Sequence, residues 1–435
     1  MTINGTNDDD TIVGTAGRDV IRTWKGDDVI KGRGGNDVIC GDRGADTLIG
    51  GRGRDRLHGG PFRLIDYGEG YGAKGDRLIG GHGNDRLFGG GSPENEIGWV
   101  NPEWVVPDRV EFPAARGGVT ITKRGVATGP GIGRDRLFGI QRITGTKWAD
   151  DITVRGEHML AGMGGPDRIT VLAGTRDPQT YPKVVGQHGA DRIDLSRYTK
   201  GLYELYGGTG RDRITGSKRS EYISDQFGRG VVRGGGAYDQ INVTSRMTVR
   251  GEGGDDLLQV TLVNGRLRSI DGGPGRDRLA LTNRRRDRLT IDVRAKRLEA
   301  GNAATSLRSA EKFNLPAMKV NARFIGSDKR ERVMTRVGKG HVVRVKLRGG
   351  NDRFNAGGPS SARRVGRTVV DGGRGADELS GGASRDAFRG GRGNDRLWGD
   401  AARDALRGGP GRDKADGGPG EHDLCRAESK SRCER

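Results

Sequence analysis

The sequence predicts an all-β chain, a right-handed parallel β-roll or β-helix solenoid. Three observations predict it. Aspartates recur every nine residues near both ends of the chain. An apolar residue stands two positions after almost every one of them. Glycine supplies 81 of 435 residues and precedes the aspartates at fixed offsets.

Composition alone would point elsewhere. Aromatic residues make up 5% and charged residues 31% of the chain, and mean hydropathy is -0.70. So few large apolar groups ordinarily cannot offset chain entropy. A regular repeat escapes this by burying small apolar stripes in register, so the period of the glycines decides the class.

The N-terminal ruler is Asp10, Asp19, Asp28, Asp37, Asp46 and Asp55, followed at two positions by Ile12, Ile21, Ile30, Ile39, Leu48 and Leu57. Near the C-terminus it returns as Asp377, Asp386, Asp395, Asp404 and Asp413, with Leu379, Phe388, Leu397 and Leu406 behind the first four. The unit is Gly-Gly-x-Gly-x-Asp-x-(apolar)-x, as in the run from Gly50 to Leu57. Between the blocks it spreads out. Copies surround Asp76, Asp85, Asp212 and Asp277, and weaker ones centre on Asp167, Asp191, Asp239 and Asp256. In others Ser or Thr replaces the second glycine, around Asp150, Glu221 and Glu331. Alternating runs such as Leu257 to Leu262 read as strands of wider coils.

This pattern suits one metal. Calcium takes six to eight hard oxygen ligands, more than one short loop can offer. Two stacked loops can offer them if each gives a carboxylate and backbone carbonyls. Glycine lets the loop turn sharply with φ > 0, and the three residues after it form a short strand whose middle side chain points inward. With two nonapeptides per turn, same-side loops carry aspartates 18 apart, such as Asp10 and Asp28.

On these residues the chain resembles the RTX, or haemolysin-type, calcium-binding repeat family. The resemblance implies several Ca²⁺ ions per chain, held by the sixth-position carboxylates: Asp10, Asp19, Asp28, Asp37, Asp46, Asp55, Asp76, Asp85, Asp212, Asp277, Asp377, Asp386, Asp395, Asp404 and Asp413. It also implies a secreted, extracellular or cell-surface protein in which the repeats are structural. The chain opens Met1-Thr2-Ile3-Asn4-Gly5 and enters repeat sequence without a basic and apolar leader. No run is apolar for long enough to read as a transmembrane helix.

The expected organisation is an N-terminal calcium roll over 1–97, an irregular or degenerate segment over 98–160, and spaced repeats in wide coils over 161–300. Basic degenerate coils over 301–347, a C-terminal calcium roll over 348–424 and a polar tail over 425–435 complete it. The segment from Gly98 to Ile140, with Trp99 and Trp104, departs most from the ruler and reads as a loop-rich excursion. His422 stands in a sixth place, so the last repeat reads as a metal-free cap. Cys425 and Cys433 either close a small disulfide loop or remain two thiols in the tail, while Cys40 is unpaired.

Charge departs from what such repeats usually show. The chain carries +19. From Arg284 to Asp371, 23 Lys and Arg stand against 8 Asp and Glu, a net of +15. Residues 1–55 have 8 against 10, a net of −2. The basic region reads either as a surface that attracts an anionic cell-surface polymer or as a solvated arginine-rich face. Only Phe313, Phe324 and Phe354 interleave with its cations, so nucleic acid is the least favoured polyanion.

No catalytic motif emerges. No two of the six histidines are four apart, which excludes His-Glu-x-x-His, and no Gly-x-Ser-x-Gly elbow occurs. The Gly70-x-Gly72-x-x-Gly75 match carries no weight in so glycine-rich a chain. The chain therefore reads as a non-enzyme. The alternative is a β-helix lyase or epimerase acting on acidic polysaccharide through the coils from 98 to 347, an analogy of fold alone.

Overall fold

The computed structural model describes residues 1–61, 63–66, 71–90, 100–156, 158–173, 183–199, 203–263, 268–283, 288–318, 321–338, 340–357, 366–419 and 422–433. Among them there is no helix; every regular element is a strand. The chain forms a parallel β-solenoid, and its residues divide into two compact units, Met1–Phe227 and Gly228–Arg435.

In the first unit each coil contributes one strand to each of two parallel sheets. One sheet stacks Thr2–Asn4, Val20–Arg22, Val38–Cys40, Arg56–His58 and Arg86–Phe88, so that Ile3, Ile21, Ile39, Leu57 and Leu87 fall in register. The other stacks Thr11–Val13, Val29–Gly34, Thr47–Gly53 and Arg77–Gly83, aligning Ile12, Ile30, Leu48 and Leu78. Side chains alternate across a strand, which is why the middle residue of each triplet points inward. Ile21, Ile30, Ile39, Leu48, Leu57, Leu78 and Leu87 have no exposed surface. The stripe continues through Val110, Ile143, Leu160, Val184, Leu205 and Ile223 in the second sheet.

The segment from Gly98 to Ile140 is more ordered than its sequence suggests. Residues Arg63–Asp66, Tyr71–Lys74 and Val100–Val106 make a small side sheet. Trp99 lies outside the described residues. Arg109–Val110 then rejoins the second sheet. An antiparallel hairpin of Thr120–Thr122, Val126–Gly129 and Gly133–Phe138 patches the first sheet between Arg86–Phe88 and Asp151–Arg155.

The second unit repeats this plan. One sheet aligns Ile241, Leu258, Leu279, Phe313, Val333, Phe354, Leu379, Leu397 and Ala415. In the other, Leu289–Asp292, Arg297–Ala300 and Ala303–Arg308 form the same kind of antiparallel patch. It joins Ile270–Asp271 to Ala322–Ile325. The terminal coil is fixed by a Cys425–Cys433 disulfide with Cα atoms 5.8 Å apart. Cys425 also fills the inward place of its coil, and Cys40 is a free thiol.

The inward stripe carries the packing, so shortening it should be costly. Leu397→Ala is expected to destabilise the calcium-loaded protein by about 2–5 kcal/mol in urea unfolding, the usual range for a buried leucine. A change below about 0.5 kcal/mol, the scale of surface substitutions, would contradict its place in the core.

Candidate metal centre

The aspartates at position six do not point to solvent. Asp19, Asp28, Asp37, Asp46, Asp55, Asp76 and Asp85 are at most 1% exposed, and Asp212, Asp277, Asp377, Asp386, Asp395, Asp404 and Asp413 at most 2%. One interaction organises them. The backbone N–H of most of these aspartates donates to Oδ1 of the aspartate on the same side of the next coil. Asp10 donates to Asp28, Asp28 to Asp46 and Asp46 to Asp76, each at 2.8 Å. The other side runs from Asp19 to Asp37, Asp55 and Asp85. In the second unit the ladders include Asp352–Asp377–Asp395–Asp413 and Asp386–Asp404–Asp423. Within the regular runs the step is 18 residues, as the sequence predicts; it widens to 30 at Asp46–Asp76 and Asp55–Asp85 and to 25 at Asp352–Asp377.

The other oxygen, Oδ2, lacks a hydrogen-bond partner in most rungs: Asp28, Asp37, Asp46, Asp55, Asp76, Asp85, Asp212, Asp277, Asp377, Asp386, Asp395, Asp404 and Asp413. An orphaned, buried carboxylate oxygen is costly. Its surroundings are rich in oxygen. A Cβ added to Gly399 would lie 2.5 Å from both Asp404 Oδ2 and the Gly417 carbonyl of the next coil. The missing side chain thus leaves a space onto which oxygens of successive coils converge. At Gly83 (φ +138°) and Gly393 (φ +132°) the carbonyls of Gly53 and Gly375 approach so closely that no Cβ would fit.

Among the described residues no three His, Cys, Asp or Glu side chains gather at one point. A cation here would therefore draw its ligands from a carboxylate oxygen and main-chain carbonyls. That is a hard-oxygen set of the kind calcium takes and zinc does not. The residues fit Ca²⁺, and the orphaned oxygens are what such an ion would satisfy.

Electrostatics agrees. Burial pushes the carboxyls of Asp85 and Asp395 up to about 6, Asp46, Asp55 and Asp377 to about 7, and Asp404 to about 8. Neighbouring carboxylates add to the shift, Asp386 and Asp423 beside Asp404 for example. Asp19 goes the other way. The Thr15 N–H holds its carboxyl below the usual range.

A family description, RTX calcium-binding nonapeptide repeat (4 copies), matches residues 4–39, 41–61, 72–92, 204–218, 366–397 and 398–421. The chain carries RTX calcium-binding nonapeptide repeats. Its matched segments cover the two regular blocks and the copy around Asp212, and RTX repeats bind calcium. No curated protein matches the chain.

The RTX ladders extend beyond the matched segments and include residues that the ruler misses. Asp108 accepts from the Asp76 amide and Asp135 from the Asp85 amide. Asp352, Glu311 and Glu428 also occupy rungs. The weaker copies at Asp150, Asp167, Asp191 and Asp256 lie in ladders too. The reading of His422 needs correction. Asp423 takes the sixth place, accepting from the Asp404 amide at 2.8 Å. One extra residue precedes it, and His422 absorbs the slip with φ 68°. Of the predicted residues, Asp10 and Asp19 differ from the rest: Thr6 and Thr15 donate to their Oδ2 atoms.

Raised carboxyl pKa values make protons stabilising. A buried aspartate of the metal-free fold binds its proton more tightly than in the unfolded chain. That contribution is complete below the unfolded value near 4 and is lost as pH rises through the folded values of about 6 to 8. In chelator the melting temperature followed by circular dichroism should therefore be higher at pH 5 than at pH 8.5. Calcium should restore stability mainly at the higher pH. Greater chelator stability at pH 8.5 would contradict the burial of unpaired carboxylates.

Proposed function

We propose that this chain is an extracellular structural protein that folds around several Ca²⁺ ions and grips an anionic cell-surface polymer through its second unit. The observation that carries the calcium part is the run of buried Oδ2 atoms without hydrogen-bond partners. The ligand carboxylates are Asp28, Asp37, Asp46, Asp55, Asp76, Asp85, Asp212, Asp277, Asp377, Asp386, Asp395, Asp404 and Asp413. Same-side carboxylates on neighbouring coils repel one another when ionised, and a shared divalent cation converts that repulsion into attraction. Binding to the folded state alone then raises stability by mass action. With site affinities of about 10⁻⁴–10⁻³ M, typical of extracellular modules, the protein would be loaded outside a cell and empty within it. Among the described residues no helix is long and apolar enough to cross a membrane.

The polymer part rests on how the second unit arrays its cations. Arg278, Lys312, Arg332 and Arg353 fall in register on consecutive strands. Parallel strands lie about 4.8 Å apart, so the column repeats positive charge at close to the length of one sugar unit. On the other sheet Arg389, Arg407 and Arg426 form a second column. Arg284, Arg285, Arg286, Arg363 and Arg364, which also belong to the basic region, lie outside the described residues. Phe313, Phe324 and Phe354 are buried, so they offer no surface for stacking bases, which favours a polysaccharide over nucleic acid.

Two measurements test these parts separately. Calorimetric titration of metal-stripped protein should show several Ca²⁺ bound, with a parallel gain of β signal in far-ultraviolet circular dichroism. Asp395→Ala should lower the ion count and loosen residues 348–424 while sparing 1–55. An unchanged count would remove Asp395 from the ligand set. For the polymer, retention on a polyuronate matrix should fall steeply with salt and be weakened by the pair Lys312→Glu and Arg332→Glu. Retention unaffected by that pair would leave the basic column a solvated face.

A further inference from the structure

The ladder carboxylates occur in two states, and the backbone at position two of the repeat separates them. In one state Oδ2 has no hydrogen-bond partner, and the residue at position two has φ > 0. Gly51, Gly81, Gly208, Gly273, Gly373, Gly391 and Gly409 are of this kind. So are Trp24, Arg33, Asp42, Met163, Gln187, Arg348 and Asp400, which are not glycine and take φ between 62° and 81°. Non-glycine residues visit that region rarely, at a cost of about 1–2 kcal/mol.

In the other state position two is Thr or Ser, is absent from the left-handed region, and closes on its own carboxylate. The Thr15 N–H donates to Asp19 Oδ2 at 2.6 Å and its hydroxyl donates at 2.9 Å. Thr6 does the same to Asp10 Oδ2, at 2.6 and 3.1 Å. The Thr146 N–H reaches Asp150 Oδ2 at 2.6 Å while its hydroxyl reaches Oδ1 at 2.9 Å. Ser217 and Ser327 give an N–H and a hydroxyl to Glu221 and Glu331, although Glu331 Oε2 stays without a partner. The same hydroxyls accept the N–H two residues on, at Gly17, Trp148, Arg219 and Lys329. Gly90 supports the rule without a hydroxyl. It is not left-handed, and its N–H donates to Asp108 Oδ2 at 2.6 Å.

We propose that position two decides whether a rung takes calcium. A left-handed residue turns its N–H away and leaves Oδ2 open to the ion. Ser or Thr latches the carboxylate with its own N–H and hydroxyl and makes a rung that needs no metal. The inference rests on the calcium reading above and makes Asp10, Asp19 and Asp150 metal-free rungs. β-Branched Thr is the residue least able to enter the left-handed region, so it enforces the latch. The latches also sit where sharing an ion is hardest. Among the described residues, Asp10, Asp19 and Glu331 receive no aspartate amide from a preceding coil, and Asp108 donates to no following carboxylate.

Arg33 allows a clean test, because it is exposed, already left-handed and in the middle of a ladder. Arg33→Thr should latch Asp37, and Arg33→Asn, which tolerates φ > 0, should not. The full chain and both variants are titrated with Ca²⁺, with ions counted by native mass spectrometry and calorimetry. The Asn variant should match the parent, and the Thr variant should bind fewer ions. In EDTA the amide at position 33 should gain hydrogen-exchange protection only in the Thr variant, as the amides of Thr15 and Thr146 already do in the parent. If Arg33→Thr does not fold, Met163→Thr against Met163→Asn repeats the comparison at Asp167. Equal ion counts for the Thr and Asn variants of a loaded parent overturn the inference and leave the calcium reading standing. A parent that binds no calcium overturns both.

Discussion

Along the described ladders most coils are tied to the next by an aspartate acting as a piece of backbone. Its N–H donates onward, and its Oδ1 receives the N–H of the coil before, as at Asp37, which accepts from Asp19 and donates to Asp55. This bond sets the register of the short strands, because the residue two places on must then turn inward. It also explains the residue type. Asparagine could accept in the same way but would place an NH₂ group where the orphaned oxygen stands. Glutamate is one methylene too long for a rung fixed on both sides. Glu311 and Glu428 accordingly accept at the ends of ladders, from Asp277 and Asp413, and Glu331 stands at the head of one.

The same bond creates the electrostatic problem that defines the protein. It uses one carboxylate oxygen and buries the other, in a column of like charges where solvent cannot screen. Three answers are available. A proton neutralises the group, which is why burial drives the carboxyls of Asp404 and Asp352 to about 8. A cation shared between coils keeps it ionised. A hydroxyl and an amide from its own loop satisfy it directly, as Thr15 does for Asp19. The net charge of +19 adds little at this depth, since Arg54 and Arg56 beside Asp55 both point to solvent.

The regular blocks were legible because glycine, aspartate and the inward apolar residue all kept step there. Where one of the three slipped, reading by glycine failed. Asp108 lies 18 residues beyond the glycine whose amide it accepts, Gly90, because the chain leaves the coil to build the side strand Val100–Val106. Asp135 is preceded by a hairpin that restores the sheet with antiparallel strands, a geometry no nonapeptide ruler anticipates. At Asp423 a single extra residue moved the expected place onto His422. The hydroxyl latches were visible in sequence as Gly-Ser and Gly-Thr, but their meaning lies in φ, which composition does not report.

Non-glycine residues in the left-handed region show why the fold survives such drift. Trp24, Arg33, Gln187 and Arg348 hold conformations that glycine adopts at no cost. Strain of this kind persists only where surroundings over-determine the backbone. Here the surroundings recur from rung to rung: an amide of the preceding rung above, a carboxylate below and an apolar side chain locked in the stripe. Once a few coils with glycine set the stack, neighbours can lose glycine and still be held in shape. Loss of glycine therefore need not mean loss of a metal site. A mutation to Thr at that position would change the rung's chemistry while leaving the apolar stripe, and with it the solenoid, in place.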